Sequence, residues 1–577
     1  MRPLEPRRVS AVLAPGLLAL ALLAGCSSGA PAVPAKGPAA ARPTARISEP
    51  PPRYRVTLPA SALQDDQQIL HVLNRLGYGP RPGDLERVRE MGLARWIERQ
   101  LEPERIADTA LDAVLGDYPV LAMSAADLYR DYPRPRQQDV QRLQSGLMTP
   151  QEIRETFPPD RRPSVINAQL QSARIARAVL SERQLQEVMV EFWFNHFNVY
   201  ALKGPVRWMT AAYEREAIRP HALGRFRDLV VATAHHPAML FYLDNWLSTR
   251  DDLMVPGRGR RGLNENYARE LLELHTLGVD GGYSQQDVVE VARCFTGWTI
   301  DRPQQGGGFL FRPVAHDRGA KRVLGTTIPA GGGQEDGLAV IDLLARHPST
   351  ARFIATKLVR RFVRDAPTTA LVDRVAGVFR TTDGDISAVL VAIFTSPEFV
   401  SADTYRAKTK TPLEVVVSAV RALDGRLEPP AAPGAPARAV GGGLTLARQV
   451  ARLGEPLYEA QPPTGYPDVA EAWVNAGALL GRMNYALALA ENRLPGVHAD
   501  VSRYVQGVDR GQPAAVLDRI VSVVLHGEIS ASTRRVLAAQ LDSPEIVRAT
   551  ADDRGPRNTD IEKLAALVLG SPEFQKR

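Results

Sequence analysis

From Asp65 onward, apolar residues recur at i, i+3 and i+4 along most of the chain, the spacing of helices with one buried face. Ile69, Val72, Leu73 and Leu76 make one such stripe, and Leu85, Val88, Leu93, Trp96 and Ile97 make the next, with Gly77-Tyr-Gly-Pro80 between them. The pattern predicts an all-α protein built as a large multi-helix domain. Period-two alternation is sparse. Its best instance lies near 306–333, where Phe309, Phe311, Val323 and Ile328 sit among glycines, and a short β-hairpin or ordered loop is expected there. A Pro/Ala/Gly-rich run at 428–443 interrupts the helices. It is read as a linker between a main helical lobe, 61–427, and a C-terminal helical lobe, 444–577.

An internal repeat accompanies this division. Asp385 to Phe399 aligns without gaps with Asp560 to Phe574, and both stretches end in Ser-Pro-Glu-Phe. Asp caps a helix start and Pro suits a first helical turn. The repeat marks either two similar closing units, one per lobe, or a shared capping grammar.

The N-terminus departs from the helical pattern. Arg2, Arg7 and Arg8 precede an apolar run from Val12 to Leu23, which ends in Leu23-Ala-Gly-Cys26. A basic start, a short apolar stretch and small residues before a cleavage point make an export signal. Twelve residues are too few to span a bilayer, which takes about 20. The Leu-Ala-Gly-Cys ending resembles a bacterial lipobox, which implies a signal peptide over 1–25, cleavage before Cys26 and lipid on that cysteine. Ser27 replaces the Asp that holds many lipoproteins at the inner membrane. The expected address is the cell envelope, at the outer membrane facing the periplasm. Residues 26–60, rich in Pro and Ala, read as a tether.

Composition narrows the function. The 577 residues carry a net charge of +7, and removing 1–25, with three Arg and one Glu, leaves +5. That is mild for the size, with no dense Lys/Arg block, so nucleic-acid binding is not indicated. With Cys26 lipidated, Cys294 has no disulfide partner, and its place among Val288, Val291, Ala292 and Phe295 makes it a buried, inert thiol.

Two helices concentrate polar residues. In Glu187 to Asn198, Glu187, Glu191, Asn195 and Asn198 share an arc of roughly 80° on a helix otherwise apolar nearly all round. Carboxylates on a buried helix need partners. His196 falls outside that stripe and by itself reads as a hydrogen-bonded core histidine. In Asn264 to His275, Glu265, Asn266, Arg269, Glu270 and Glu273 share an arc of about 140°. The pairs Glu265–Arg269 and Arg269–Glu273 are spaced for i,i+4 ion pairs, yet three Glu against one Arg leave excess negative charge. A third candidate is His316-Asp317 in the glycine-rich region. Glu-x-x-His, His-Glu-x-x-His, Cys-x-x-Cys-His and Walker signatures are absent from the sequence.

The chain resembles the bacterial family known as domain of unknown function 1800. The resemblance runs from about His71 to the C-terminus. It is carried by His71-Val-Leu-Asn-Arg-Leu-Gly-Tyr-Gly-Pro80, Phe192-Trp-Phe-Asn-His-Phe197, Asn264 to Gly278, Phe295-Thr-Gly-Trp298, His316-Asp-x-Gly-x-Lys321, Pro463-Thr-Gly-Tyr-Pro467 and Leu479 to Asn484. Where many members have Gly-Trp-Pro, this chain has Gly465-Tyr-Pro467. The family carries no established activity. The resemblance implies export, and a partner similar to the domain of unknown function 1501 family, which looks like relatives of alkaline phosphatases and sulfatases.

Two functions fit these features. One is a lipid-anchored envelope protein that binds or supports an exported partner. The other is a metal-dependent hydrolase or oxidoreductase with its site between the 187–198 and 264–275 helices. There Glu187, Glu191, Glu270 and Glu273 are candidate ligands of a divalent cation, Asn195 and Asn266 orienting groups, and His196, Glu191, Glu270, His316 and Asp317 candidate catalytic groups. A buried ion-pair network built on Arg269 explains the same residues without a reaction.

Overall fold

In the computed structural model, helix accounts for 57% of the residues and strand for 4%, which makes the protein all-α. The structure describes residues 51–577 except 252, 256–258, 261, 431–440, 542, 544–546 and 549–557. The export signal, Cys26 and most of the expected tether and linker lie outside the described residues. Residues 53–56, at the tether's far end, touch the globule. Tyr54 donates its hydroxyl to Asp385, the Val56 amide donates to Glu98, and Val56 is buried.

The first stripe forms the helix Asp65–Arg75, while the second, expected on one helix, is divided between Asp84–Met91 and Leu93–Gln100, because Gly92 between them has a φ of +88°. One hydrophobic core runs from Val56 to Phe574, and a small satellite gathers Val120, Leu128, Tyr132, Ile166 and Trp208. The helix Ser164–Leu180 packs on Gly442–Arg452 and on Pro412–Ala422, so helices from both sides of the 428–443 stretch share this core. Gly443 permits the approach, because a Cβ there would sit 2.9 Å from the Ser172 carbonyl oxygen. Cys294 is fully buried, and burial pushes its thiol up to about 12. Trp193 and Trp298 are core residues too.

The glycine-rich region holds two short antiparallel hairpins rather than one, Trp298–Ile300 with Phe309–Phe311 and Lys321–Val323 with Thr326–Ile328. The repeat gives one local structure twice. Asp385 accepts from the Ala388 amide at 2.9 Å to cap Ile386–Phe394, and Asp560 accepts from the Lys563 amide at 3.1 Å to cap Ile561–Leu569. Ser396 and Ser571 then each accept from the amide of the Phe three residues on. Ser284 and Asp287 likewise bond reciprocally at the start of Gln285–Cys294.

Two helices change pitch in mid-course. Tyr213–Ile218 and Leu271–Thr276 are π-helical turns, each continuing a short α-helix. Such turns recur at functional sites and carry side chains round by less than the roughly 100° per residue of an α-helix.

Candidate functional site

Glu187 and Glu191 stand one turn apart on the helix Gln184–His196, and the fold sends them to different surroundings. Glu187 is clamped by Arg219, whose two terminal nitrogens lie 2.6 and 2.9 Å from its oxygens. Arg219 also binds Glu214, on the first π turn, at 3.0 Å. Arg174 at 2.6 Å, Arg177 at 3.2 Å and the Tyr458 hydroxyl at 2.5 Å complete the Glu214 shell. Burial alone would raise this carboxyl. The three guanidiniums overcome that and hold it far below the usual carboxylate range. The network that absorbs Glu187 is thus built on Arg174, Arg177 and Arg219. Arg269, expected at its centre, is partly exposed and, among the described residues, pairs with its own helix's Glu265 and with Gln285.

Asn195 and Asn198 anchor backbone. Asn195 donates Nδ2 to the Tyr466 carbonyl at 2.8 Å and accepts the Tyr466 amide on Oδ1 at 2.7 Å. Asn198 donates to the carbonyls of Ala460 and Pro462, both at 2.9 Å. Gly465 makes the contact possible. Its φ is +68°, and a Cβ would lie 2.3 Å from Asn195 Oδ1. The buried helix therefore fixes the segment 460–466 by four side-chain hydrogen bonds.

That segment closes one wall of a cavity of about 260 Å³. Glu191, Asn195 and His196 line it from the first helix, Lys357, Arg360 and Arg361 from the helix Pro348–Phe362, and Glu455, Tyr466 and Asp468 from the loops around 455–469. Glu191, about a fifth exposed, accepts no hydrogen bond among the described residues, and its one ion partner within 4 Å is Arg361 at 3.9 Å. Arg361 is committed elsewhere, to Glu414 at 2.6 Å, and Glu414 also takes Arg577 at 3.1 Å. Burial favours the neutral form of Glu414, but Arg577 and Arg361 hold it down to about 2. Asp468 keeps one buried carboxylate oxygen without a hydrogen bond.

The titration of this cleft follows from the burial of its groups. Burial raises Glu191, against the pull of Arg361. Burial, helped by the charge of Glu191, pushes Glu455 up to about 8, although the Leu413 amide at 2.8 Å supports its ionised form. Burial lowers Lys357 to about 8. His196 is buried, and its Nε2 donates to the His275 carbonyl at 3.1 Å, which leaves Nδ1 as the acceptor for Lys357 Nζ at 2.8 Å. Burial and the Lys357 charge hold this imidazole well below its ordinary value, so it is neutral. The cleft thus combines one carboxyl, Glu455, able to carry a proton near neutrality with an amine able to lose one, the pairing that general acid–base chemistry uses.

The other expected residues do not join it. The second polar helix contributes only the His275 carbonyl. Asn266 donates to the Leu243 carbonyl at 3.2 Å, and Glu273 accepts from Tyr283 at 3.2 Å. Glu270 is half-buried and raised by burial and by Glu273, but it does not line the cleft. His316 and Asp317 belong to a separate cluster. His316 Nδ1 donates to the Thr296 carbonyl at 2.8 Å, and its Nε2 faces Asp336 at 3.1 Å. Lys321 also holds Asp336, at 2.5 Å. Asp317 turns away to Arg293 and the Gly319 amide, so the carboxylate facing His316 is Asp336, twenty positions downstream. Glu187, Glu191, Glu270 and Glu273 do not converge as cation ligands, and no group of three or more His, Cys, Asp or Glu among the described residues is arranged to hold a metal ion.

Sequence reasoning passed over Lys357, Arg360, Glu455 and Asp468. The motif at 463–467 marked one wall of the cleft, but nothing in the spacing of the Pro348–Phe362 helix marks the other.

Fold and site together define an all-helical protein with a mixed-charge acid–base cleft. The chain belongs to the family described as protein of unknown function DUF1800, whose model matches residues 71–576. No curated protein and no solved structure matches it.

Proposed function

We propose that the protein is an exported lipoprotein, anchored through Cys26 in the cell envelope at the outer membrane, that captures a small polar ligand in the cleft between Glu191 and Lys357. The observation that carries the binding reading is Glu191. A mostly buried carboxylate without a hydrogen bond, in a cavity large enough for a small molecule, is a group waiting for a donor. Among the described residues no helix is long and apolar enough to cross a membrane, so attachment on this reading rests on the lipid and not on the globule. An exported partner similar to the domain of unknown function 1501 family fits the same location as a source or recipient of the ligand.

A second reading, an enzyme using acid–base chemistry in the cleft, is favoured by Glu455 and Lys357, both brought to about 8 from opposite directions. Two measurements test the proposal. Radiolabelled palmitate should enter the wild-type chain, and Cys26→Ala should abolish both the label and retention in the membrane fraction. Native mass spectrometry of the full chain purified from envelopes should find a bound small molecule that Glu191→Gln loses. A ligand retained equally by Glu191→Gln would place binding elsewhere and refute the cleft assignment.

A further inference from the structure

Four buried or nearly buried lysines invite comparison. Lys321 lies 2.5 Å from the Asp336 carboxylate, and Lys408 lies 2.5 Å from that of Asp365. Lys410 sits 4.0 Å over the Phe574 ring and 3.1 Å from Ser418 Oγ, beside a space of about 30 Å³, room for a water. Lys357 differs from all three. It lines the 260 Å³ cavity, and among the described residues no carboxylate comes within ion-pair distance of it, although Glu191, Glu455 and Asp468 line the same space. Its hydrogen bond goes to a neutral imidazole whose tautomer is locked by the His275 carbonyl. An ammonium in this position has the charge of Asp468 only beyond ion-pair distance, whereas an amine there keeps a lone pair for the cavity. One turn further on the same helix, Arg360 also lines the cleft. Its Nε donates to the Asp365 carbonyl at 3.1 Å, and its terminal nitrogens make no hydrogen bond to the described residues.

We propose that Lys357 is a nucleophile that forms an imine with a carbonyl compound bearing a carboxylate, a 2-oxo acid, whose carboxylate is held by Arg360. This rests on the cleft being the ligand site. The Nζ lone pair attacks the carbonyl carbon and forms the C–N bond, while the carbonyl π electrons go to oxygen, which takes a proton from the carboxyl of Glu191 or Glu455. The nitrogen gives one proton back to that carboxylate. The carboxyl then protonates the hydroxyl, the C–O bond breaks, water leaves, and the nitrogen lone pair closes the C=N bond. One carbonyl, one amine and one carboxyl proton become one iminium and one water, the carboxyl ending as carboxylate, with no change of oxidation state. His196 is a positioning residue that aims Nζ.

The test uses the full chain in detergent with glyoxylate as the probe and cyanoborohydride to trap the imine as carboxymethyl-lysine. Peptide mass spectrometry then ranks the lysines. At pH 7 the amine of Lys357 is deprotonated roughly two hundredfold more often than an ordinary surface lysine. Its labelling should therefore exceed that of exposed Lys576 by more than about tenfold. Arg360→Gln should cut the rate at Lys357 severalfold and leave that at Lys576 unchanged. Labelling of Lys357 no faster than of Lys576 overturns the proposal. In that event, a glyoxylate-induced rise in Tm that Arg360→Gln removes would leave the ligand cleft standing, and no rise would count against the cleft for this ligand class as well. Because the readout is made on the wild-type chain, a misfolded Lys357 variant does not cloud it.

Discussion

Glu187 and Glu191 are the same residue type on the same face of one helix, separated by one turn, and their fates are opposite. Glu187 receives two charge-assisted hydrogen bonds from Arg219 inside a network that also saturates Glu214. Glu191 receives none among the described residues, and faces Arg361 at 3.9 Å beside a cavity. The first arrangement gives a helix junction its geometry. The second leaves binding capacity unused, which is what separates a site from a scaffold when both are made of buried charge.

The largest effect is expected where the scaffold is broken. Arg219→Met leaves Glu187 unpaired and removes one of the three guanidiniums on Glu214. Losing one partner of a buried ion network costs about 3–5 kcal/mol, and a large drop in Tm by calorimetry should follow. A Tm within a degree or two of wild type would mean that water reaches these carboxylates and that the contrast with Glu191 is weaker than drawn. Next in size is Gly465→Ala. The new Cβ meets Asn195 Oδ1 at 2.3 Å in a left-handed backbone conformation, and the cost is about 2 kcal/mol from strain and the weakened Asn195 pairing. The same variant should lose the cleft ligand, because the 460–466 wall moves.

How much of this was legible in the sequence differs between the two regions. That the 187–198 helix is buried, and that its carboxylates need partners, follows from its apolar surroundings. Which partners they find does not, because Arg219 is 32 positions from Glu187 and Lys357 is 161 from His196. Tertiary packing chooses among many arginines with the same local pattern. The 264–275 helix misled for a local reason. Its face was projected at 3.6 residues per turn, but from Leu271 it runs as a π turn, and the side that reaches His196 carries a carbonyl instead of the glutamates. Adjacency in sequence does not set Asp317 against the His316 ring, because the chain reverses through the glycine-rich hairpins and brings Asp336 there. The repeat at 385–399 and 560–574 was fully legible, since capping is written in the four residues that perform it.

A titration sharpens the comparison further. The folded carboxyl of Glu455 sits near 8, above its ordinary 4.5. Its contribution to stability is therefore complete below about pH 4.5 and is lost as pH rises through about 8, since in that window the folded chain holds the proton that the unfolded chain has released. Glu455→Gln should flatten the fall in stability between those pH values, with a gain over wild type on the order of 1–2 kcal/mol at pH 8. Parallel pH profiles for the two proteins would show that Glu455 ionises normally and that the cleft is wetter than its geometry implies.

The smallest change in stability should come with the most telling change in function. Glu191→Gln keeps the shape of the side chain and removes a charge that receives no hydrogen bond and lies 3.9 Å from an arginine already satisfied by Glu414. Its effect on Tm should stay within the roughly 0.5 kcal/mol typical of substitutions that break no network. The amide is a weaker acceptor than the carboxylate and cannot release a proton, so both ligand capture and any acid–base step in the cleft should fail together. Glu270→Gln serves as the matched control. Glu270 is also half-buried and also raised, but it lies outside the cleft, and its variant should keep the ligand. If Glu191→Gln instead lost several kcal/mol while Glu270→Gln did not, Glu191 would belong with Glu187 to the scaffold. The contrast between the two turns of this helix would then be one of ion-pair distance alone.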